Sequence, residues 1–289
     1  MNTDIFKGTG VALVTPFNED QSIDFESLAK VQDYVSEHVD YLVILGTTGE
    51  APTITAEEKH QITEFIIKNN KKKLPIVYGL GGNSTKWVLD QLETIKDYPL
   101  DAILSLSPYY NKPSQEGIAQ HYEKLADASP FPIILYNVPA RTGSNINVET
   151  TVRLSKHPNI IGTKEASGNL SQCMEIIDST PDDFLLISGD DLLTLPMMAF
   201  GCVGAISVIA NTEPEKFSNM VRLAASQKFT EASKLHYEML KGYDLAGAEG
   251  NPVSVKCGLY TKGLIKNQTR LPLVPGTKGL AAAFRSYFN

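Results

Sequence analysis

Two stretches of this 289-residue chain decide its fold: PIILYN at residues 132–137 and NIIGTKE at residues 159–165. Both are short, apolar and rich in β-branched residues, which is typical of a strand buried on both faces in a parallel sheet. Their starts lie 27 positions apart, about the length of one strand-helix unit. Each ends on polar side chains, so the same positions bear on fold and on function.

Six more stretches of this kind bring the total to eight, with starts spaced by 19 to 33 residues. Segments with helical periodicity alternate with them, such as residues 24–38 behind a predicted Asp24 N-cap. Thr55 and Glu58 form the capping-box pattern at the start of another helix. Eight strand-helix units predict a (β/α)₈ barrel, an α/β fold. The predicted strands are 9–14, 41–45, 74–78, 101–106, 132–136, 159–163, 184–188 and 203–208.

An open, doubly wound sheet is the competing interpretation. The count of eight, the near-regular spacing and the special residues at the C-terminal end of almost every strand favour the barrel. After residue 210 the strands stop, and segments 214–226 and 230–245 have helical periodicity. We therefore expect a barrel over residues 1–210 and a C-terminal helical extension over residues 211–289, packed on the barrel as a single structural unit.

Composition narrows the function. The chain has 26 Lys plus Arg against 33 Asp plus Glu, a net charge of −7, and no basic stripe for nucleic acid. Its three cysteines show neither a C-x-x-C pair nor a zinc spacing. No stretch reaches the roughly 18 apolar residues of a membrane helix. We expect no metal, no nucleic-acid or membrane partner, and a cytoplasmic location.

Lys164 is the first candidate for chemistry, because it directly follows the predicted strand 159–163 and so stands at the mouth of an apolar barrel. One interpretation is an ion pair with Glu165 or a neighbouring carboxylate. The other is that a desolvated, neutral amine attacks a ketone to form a Schiff base. That chemistry needs a proton carrier, and Tyr136 closes the preceding strand. Thr47 and Tyr110, at other strand ends, could pass the proton on. Taken alone, Tyr136 is better explained as a half-buried aromatic residue whose hydroxyl is satisfied.

Two further features suit carboxylate binding. The turn Gly46-Thr47-Thr48-Gly49 offers backbone N–H groups and two hydroxyls. Arg141, five residues beyond Tyr136, could clamp a carboxylate with two hydrogen bonds, or could be an ordinary surface arginine.

The motifs together resemble the dihydrodipicolinate synthase family, within the class I pyruvate-aldolase superfamily, and the resemblance covers essentially the whole chain. It rests on five stretches in a specific order and spacing: GTTGE at 46–50, SPYYNKP at 107–113, YNVPARTG at 136–143, GTKEA at 162–166 and SGDD at 188–191.

The resemblance implies a condensation of pyruvate with L-aspartate 4-semialdehyde in lysine and diaminopimelate biosynthesis, without a cofactor beyond the covalent Schiff base. It implies that Lys164 is the Schiff-base lysine and that Tyr136, Thr47 and Tyr110 are the proton relay. Further implied roles are Thr48 at the pyruvate carboxylate, Arg141 at the semialdehyde carboxylate, Gly189 and Ile206 as other lining positions, and Tyr109 at a tight dimer interface. It also implies a homotetramer built as a dimer of dimers, with the relay tyrosine reaching the neighbouring site.

Two alternatives stay open. One is a sugar-acid aldolase or lyase of the same superfamily, acting on N-acetylneuraminate or a 2-keto-3-deoxy-sugar acid; the intact Ala-Arg-Thr-Gly around Arg141 favours the synthase. The other is a non-catalytic barrel that binds a keto acid. Lysine-inhibited relatives have histidines or acidic residues where this chain has Ala56, Lys59 and Trp87, and only Asn83 and Tyr109 of that pattern remain. We therefore expect weak inhibition by free lysine, or none.

Overall fold

The computed structural model describes residues 2–289, and within them eight parallel strands close into one barrel in sequence order. This confirms the predicted (β/α)₈ fold and rejects the open sheet, because β1 pairs with β8. The strands are β1 Gly8–Ala12, β2 Tyr41–Ile44, β3 Ile76–Gly79, β4 Ala102–Leu106, β5 Ile133–Asn137, β6 Ile160–Glu165, β7 Leu185–Ser188 and β8 Gly204–Ser207.

The helices surround the barrel and continue beyond its last strand. The predicted start signals are confirmed: Asp24 accepts from the Ser27 N–H, and Thr55 and Glu58 form a reciprocal capping box. The helices are α1 Phe25–Ser36, α2 Ala56–Asn69, α3 Thr85–Ile95, α4 Gln115–Ala128, α5 Pro139–Thr142, α6 Val148–Leu154, α7 Leu170–Ser179, α8 Thr194–Met198, α9 Pro214–Ala225, α10 Phe229–Glu238, α11 Leu240–Gly247, α12 Val253–Thr261 and α13 Lys278–Phe288.

The helix predicted over 230–245 is two helices that meet at the buried residue Met239. The reason is that α10 packs against α9 whereas α11 packs against α12 and α13, so the two halves bury different faces. The boundary at residue 210 between a barrel and an extension stays a prediction.

Alternation along the strands separates two apolar layers. One fills the inside of the barrel with side chains such as Val43, Leu104, Ile187 and Ile206. The other lies between the sheet and the helices. Consecutive residues of one strand therefore face different environments, which decides the orientation of Lys164. Among residues 2–289, no helix is long and apolar enough to cross a membrane.

Candidate active site

A cavity of about 900 Å³ opens at the carboxyl ends of the strands, where the loops of a (β/α)₈ barrel converge. Side chains at the ends of several strands line it. Six of the eight predicted site residues are among them: Thr47, Thr48, Tyr136, Arg141, Lys164 and Gly189. The fold therefore brings together residues that lie more than 140 positions apart in the sequence.

Lys164 and Tyr136 are neighbours across strands β5 and β6, where they are directly paired in register. Lys164 is only 5% exposed, and its Nζ lies 4.3 Å from the centroid of the Tyr136 ring. The electron-rich face of an aromatic ring attracts a cationic amine, and it also limits the positions that the side chain can take. The amine is thus directed into the cavity from a rigid strand.

Glu165 points the other way, and this rejects the idea that it pairs with Lys164. Its carboxylate accepts hydrogen bonds from Asn137 Nδ2 (2.9 Å), the Ser167 N–H (2.8 Å) and Nε2 of Gln172 on α7 (3.1 Å). Because successive strand residues face opposite sides, Glu165 lies under the helices while Lys164 faces the cavity.

The turn after β2 presents Thr47 and Thr48 to the cavity. It is closed by hydrogen bonds from the Gly49 N–H to the Gly46 carbonyl and from the Glu50 N–H to the Thr47 carbonyl, each 3.1 Å long. The Thr48 hydroxyl is buried and accepts a hydrogen bond from Asn251 Nδ2 at 3.0 Å. The Thr48 hydroxyl is therefore fixed by Asn251 as well as by the turn that carries it.

Arg141 stands in the short helix α5 at the exposed rim of the cavity. Its Nη2 donates to the Asn251 carbonyl at 3.1 Å. Asn251 therefore links the two predicted carboxylate anchors, Arg141 and Thr48, and it lines the cavity itself. Sequence reasoning missed Asn251, because it follows no strand and lies 203 residues from Thr48.

Gly189, just after β7, packs directly against Lys164. A Cβ at this position would lie 3.0 Å from Lys164 Cε and 2.7 Å from the Ala166 Cβ. The glycine therefore leaves room for the lysine side chain.

Asp191, two residues further on, lines the same cavity. It accepts hydrogen bonds from the N–H groups of Val208 (3.0 Å) and Ile209 (2.8 Å). Burial raises the pKa of its carboxyl group, while these bonds and the charge of Lys164 act in the opposite direction. The sequence placed Asp191 at a strand end without giving it a role.

Two predicted residues do not line the cavity of this chain. Ile206 is buried in the barrel interior, on β8. Tyr110 is 86% exposed, and its backbone has a positive φ of 73°. Its neighbour Tyr109 does line the cavity. The conformation at residue 110 thus directs consecutive tyrosines to different places.

Residues 2–289 contain no group of three or more His, Cys, Asp or Glu side chains that could hold a metal ion. The charged groups that line the cavity are the amines of two lysines, one guanidinium and three carboxylates, from Lys59, Lys164, Arg141, Asp190, Asp191 and Asp244.

The fold and the site define the class of this protein as a (β/α)₈-barrel protein with a buried lysine at the carboxyl ends of its strands. The family model described as "Dihydrodipicolinate synthetase family" matches residues 5–287, and the chain belongs to that family. The chain is 50% identical to 4-hydroxy-tetrahydrodipicolinate synthase of Parabacteroides distasonis over 271 residues, which are 93% of this chain and 91% of the relative.

Solved structures agree with this assignment. Dihydrodipicolinate synthase from Thermotoga maritima matches with a TM-score of 0.95 and 33% identity, covering 98% of each chain. The chloride-inhibited dihydrodipicolinate synthase from Acinetobacter baumannii, complexed with pyruvate, matches with a TM-score of 0.94 and 38% identity, covering 98% of this chain and 97% of that one.

Proposed function

We propose that this chain condenses pyruvate with L-aspartate 4-semialdehyde to give 4-hydroxy-tetrahydrodipicolinate, with pyruvate held as a Schiff base on Lys164. The observation that carries the proposal is the amine of Lys164, buried against the Tyr136 ring in the cavity that Thr47 and Thr48 also line. The names of the similar proteins, and the pyruvate in one of them, support the same substrate class.

The chemistry begins with the neutral amine of Lys164, which attacks the keto carbon of pyruvate to form a carbinolamine. Loss of water then gives the imine. Removal of a proton from the methyl carbon gives an enamine, and this carbon attacks the aldehyde carbon of the semialdehyde to form the new C–C bond. The amino group of the condensed product then displaces Lys164 by attack on the imine carbon, which closes the ring and frees the enzyme.

Each of these steps moves a proton, so a proton carrier must lie beside Lys164. Tyr136 is the carrier in this proposal, because its ring contacts the lysine amine. A tyrosine hydroxyl is a slow acid or base at neutral pH by itself, so it requires hydroxyl partners that relay the proton. Thr47 supplies one from the turn after β2, and Tyr110 supplies the other.

Tyr110 can fill this role only in a neighbouring site, since its side chain extends into solvent from its own subunit. The proposal therefore includes a tight dimer in which each Tyr110 reaches the partner's cavity, and a homotetramer made of two such dimers. If Tyr110 belongs to the relay, each cavity is incomplete until a second copy of the chain supplies its tyrosine.

The two substrate carboxylates are assigned to different side chains of the cavity. Thr48 and the adjacent backbone N–H groups suit the pyruvate carboxylate, because they lie on the turn next to Thr47. Arg141, at the rim, suits the carboxylate of the incoming semialdehyde. Gly189 gives Lys164 its space, and Ile206 contributes to the apolar interior beneath it.

The proposal needs no cofactor, since the lysine itself serves as the covalent electron sink, and it places the enzyme in the cytoplasm. A coupled condensation assay with pyruvate and the semialdehyde tests it, with retro-aldol cleavage of N-acetylneuraminate measured in parallel. Turnover of the semialdehyde alone is expected. Cleavage of the sugar acid without condensation would transfer the assignment to the lyases, and binding of pyruvate without either reaction would indicate a keto-acid-binding barrel.

A further inference from the structure

A fully buried ion pair lies outside the cavity, between the C-terminal helices and the turn after β2. Lys256 on α12 and Glu50 have side-chain exposures of 0% and 1%, and Nζ lies 2.6 Å from Glu50 Oε1. The ammonium also donates to the Thr15 carbonyl at 2.9 Å and lies 4.2 Å from the centroid of the Phe17 ring. The second oxygen of Glu50 accepts from the Arg270 N–H at 3.0 Å.

Glu50 connects this pair to the site because it directly follows the turn that carries Thr47 and Thr48. Its own N–H holds the Thr47 carbonyl at 3.1 Å. The Thr15 hydroxyl donates to the Gly49 carbonyl at 2.8 Å, while Lys256 holds Thr15 from the other side. Glu50 also has a positive φ of 56°, a backbone conformation that persists only where its surroundings fix it.

A contribution to the free energy of unfolding does not by itself explain why a buried ion pair is present. Two charges removed from water lose their hydration, and their mutual attraction often does no more than offset that loss. Burial lowers the pKa of the Lys256 ammonium to about 8, although Glu50 acts against this shift. Because burying this pair removes the hydration of two charges, its presence is better explained by the positions in which it fixes the groups that it contacts.

We propose that Lys256 is a positioning residue for the reaction: through Glu50 and Thr15 it fixes the turn 46–50, so that Thr47 and Thr48 keep their places in the cavity that Lys164 also lines. The proposal rests on the proposed function, since it takes the roles of Thr47 and Thr48 from there. In this proposal a residue of α12, 206 positions from Glu50 in the sequence, controls the part of the cavity assigned to pyruvate. The semialdehyde end, at Arg141, has no contact with this pair.

The test compares the full-length enzyme with Lys256→Met, Glu50→Gln/Lys256→Met and a matched control, Lys262→Met. Lys262 is a half-buried lysine at the end of α12 whose Nζ lies 3.9 Å from the centroid of the Phe288 ring and which does not contact the turn. The single Lys256 variant leaves a carboxylate buried without its partner, so its Tm should fall. The double variant removes that unpaired charge, so its Tm should return toward that of the native enzyme.

We expect the double variant to recover its Tm without recovering its activity toward pyruvate. In the double variant we expect kcat/KM for pyruvate to stay about 100-fold low, the scale of a small misplacement of binding groups, while KM for the semialdehyde stays within about twofold. A double variant with native Tm and native kcat/KM for pyruvate would reduce the pair to a structural role and overturn the proposal. A rise in the KM for the semialdehyde as large as the rise in the KM for pyruvate would overturn it as well. If Lys256→Met does not fold, the double variant still decides.

The two proposals fail differently. A native enzyme that does not condense the semialdehyde contradicts the proposed function. The positioning role is then measured from the pyruvate concentration that half-saturates reducible adduct formation, which should rise about tenfold or more in the double variant. An unchanged half-saturating concentration would overturn the positioning role.

Discussion

Lys164 Nζ lies 4.3 Å from the centroid of the Tyr136 ring, and the two residues are paired in register on adjacent strands. Neither side chain is carried by a loop, since each residue is the last but one of a buried strand. The ring therefore does two things in this account: its face positions the amine, and its hydroxyl group carries protons.

Tyr136→Phe separates these two tasks, because it keeps the ring and removes the hydroxyl. We expect kcat for condensation to fall about 100-fold or more, the usual contribution of a positioned acid or base, while reducible pyruvate still attaches to Lys164. Steady-state kinetics and the mass of the borohydride-reduced protein measure the two effects. Native turnover in Tyr136→Phe would remove the tyrosine from the proton relay.

Gly189→Ala tests the space around the lysine. The added Cβ would lie 2.7 Å from the Ala166 Cβ and 3.0 Å from Lys164 Cε, so both the lysine side chain and the strand end that carries it must shift. We expect about a tenfold loss in kcat/KM for pyruvate, since a displaced nucleophile is poorly aligned for attack. Gly247→Ala is the control, because a Cβ at that cavity-lining glycine meets no atom within 4 Å. Equal kcat/KM for pyruvate in both variants would contradict the claim that Gly189 leaves the space that Lys164 needs.

If Tyr110 acts in the partner's cavity, two inactive variants should restore activity when their subunits form a mixed dimer. Lys164→Ala and Tyr110→Phe should each be poorly active alone, yet a mixed dimer has one site with an intact lysine and an intact partner tyrosine. After unfolding and refolding of an equal mixture, about a quarter of native activity should return, because half of the dimers are mixed and each has one working site. No recovery in mixtures shown to contain mixed dimers would contradict a tyrosine shared across the interface.

Free lysine should inhibit weakly or not at all. Lys59 and Trp87 line the cavity, with Lys59 Nζ 5.9 Å from the centroid of the Trp87 ring. This half-buried ammonium would repel the charged amine of a lysine ligand. Initial rates with lysine at sub-millimolar concentrations check the prediction, with arginine as a matched cationic control. A sharp drop with lysine alone would show that the altered positions still form an inhibitor site.

Much of the site could be predicted because its residues follow strands. In a closed barrel the end of every strand reaches the same opening, so finding the strands around Tyr136 and Lys164 places both side chains near the cavity. The orientation of Glu165 follows from strand alternation, but its partners on the next helix do not.

Contacts between distant parts of the chain could not be predicted in this way. Asn251 and Lys256 reach the turn after β2 from 203 and 206 residues away, and no local pattern encodes such pairs. Helix periodicity over 230–245 also continued smoothly through Met239, where the packing partners change. In the proposed dimer Tyr110 lies in the partner's cavity, so the exposure of its side chain in one subunit does not follow from the strand pattern.

The most direct test of the account is the intact mass of the protein after borohydride treatment with and without pyruvate, for the native chain and for Lys164→Ala. The account predicts one reduced pyruvate adduct on the native chain, only when pyruvate is present, and none on Lys164→Ala. Peptide mapping should place the adduct on Lys164. No adduct on the native chain, or an equal adduct on Lys164→Ala, would contradict Schiff-base chemistry at this lysine.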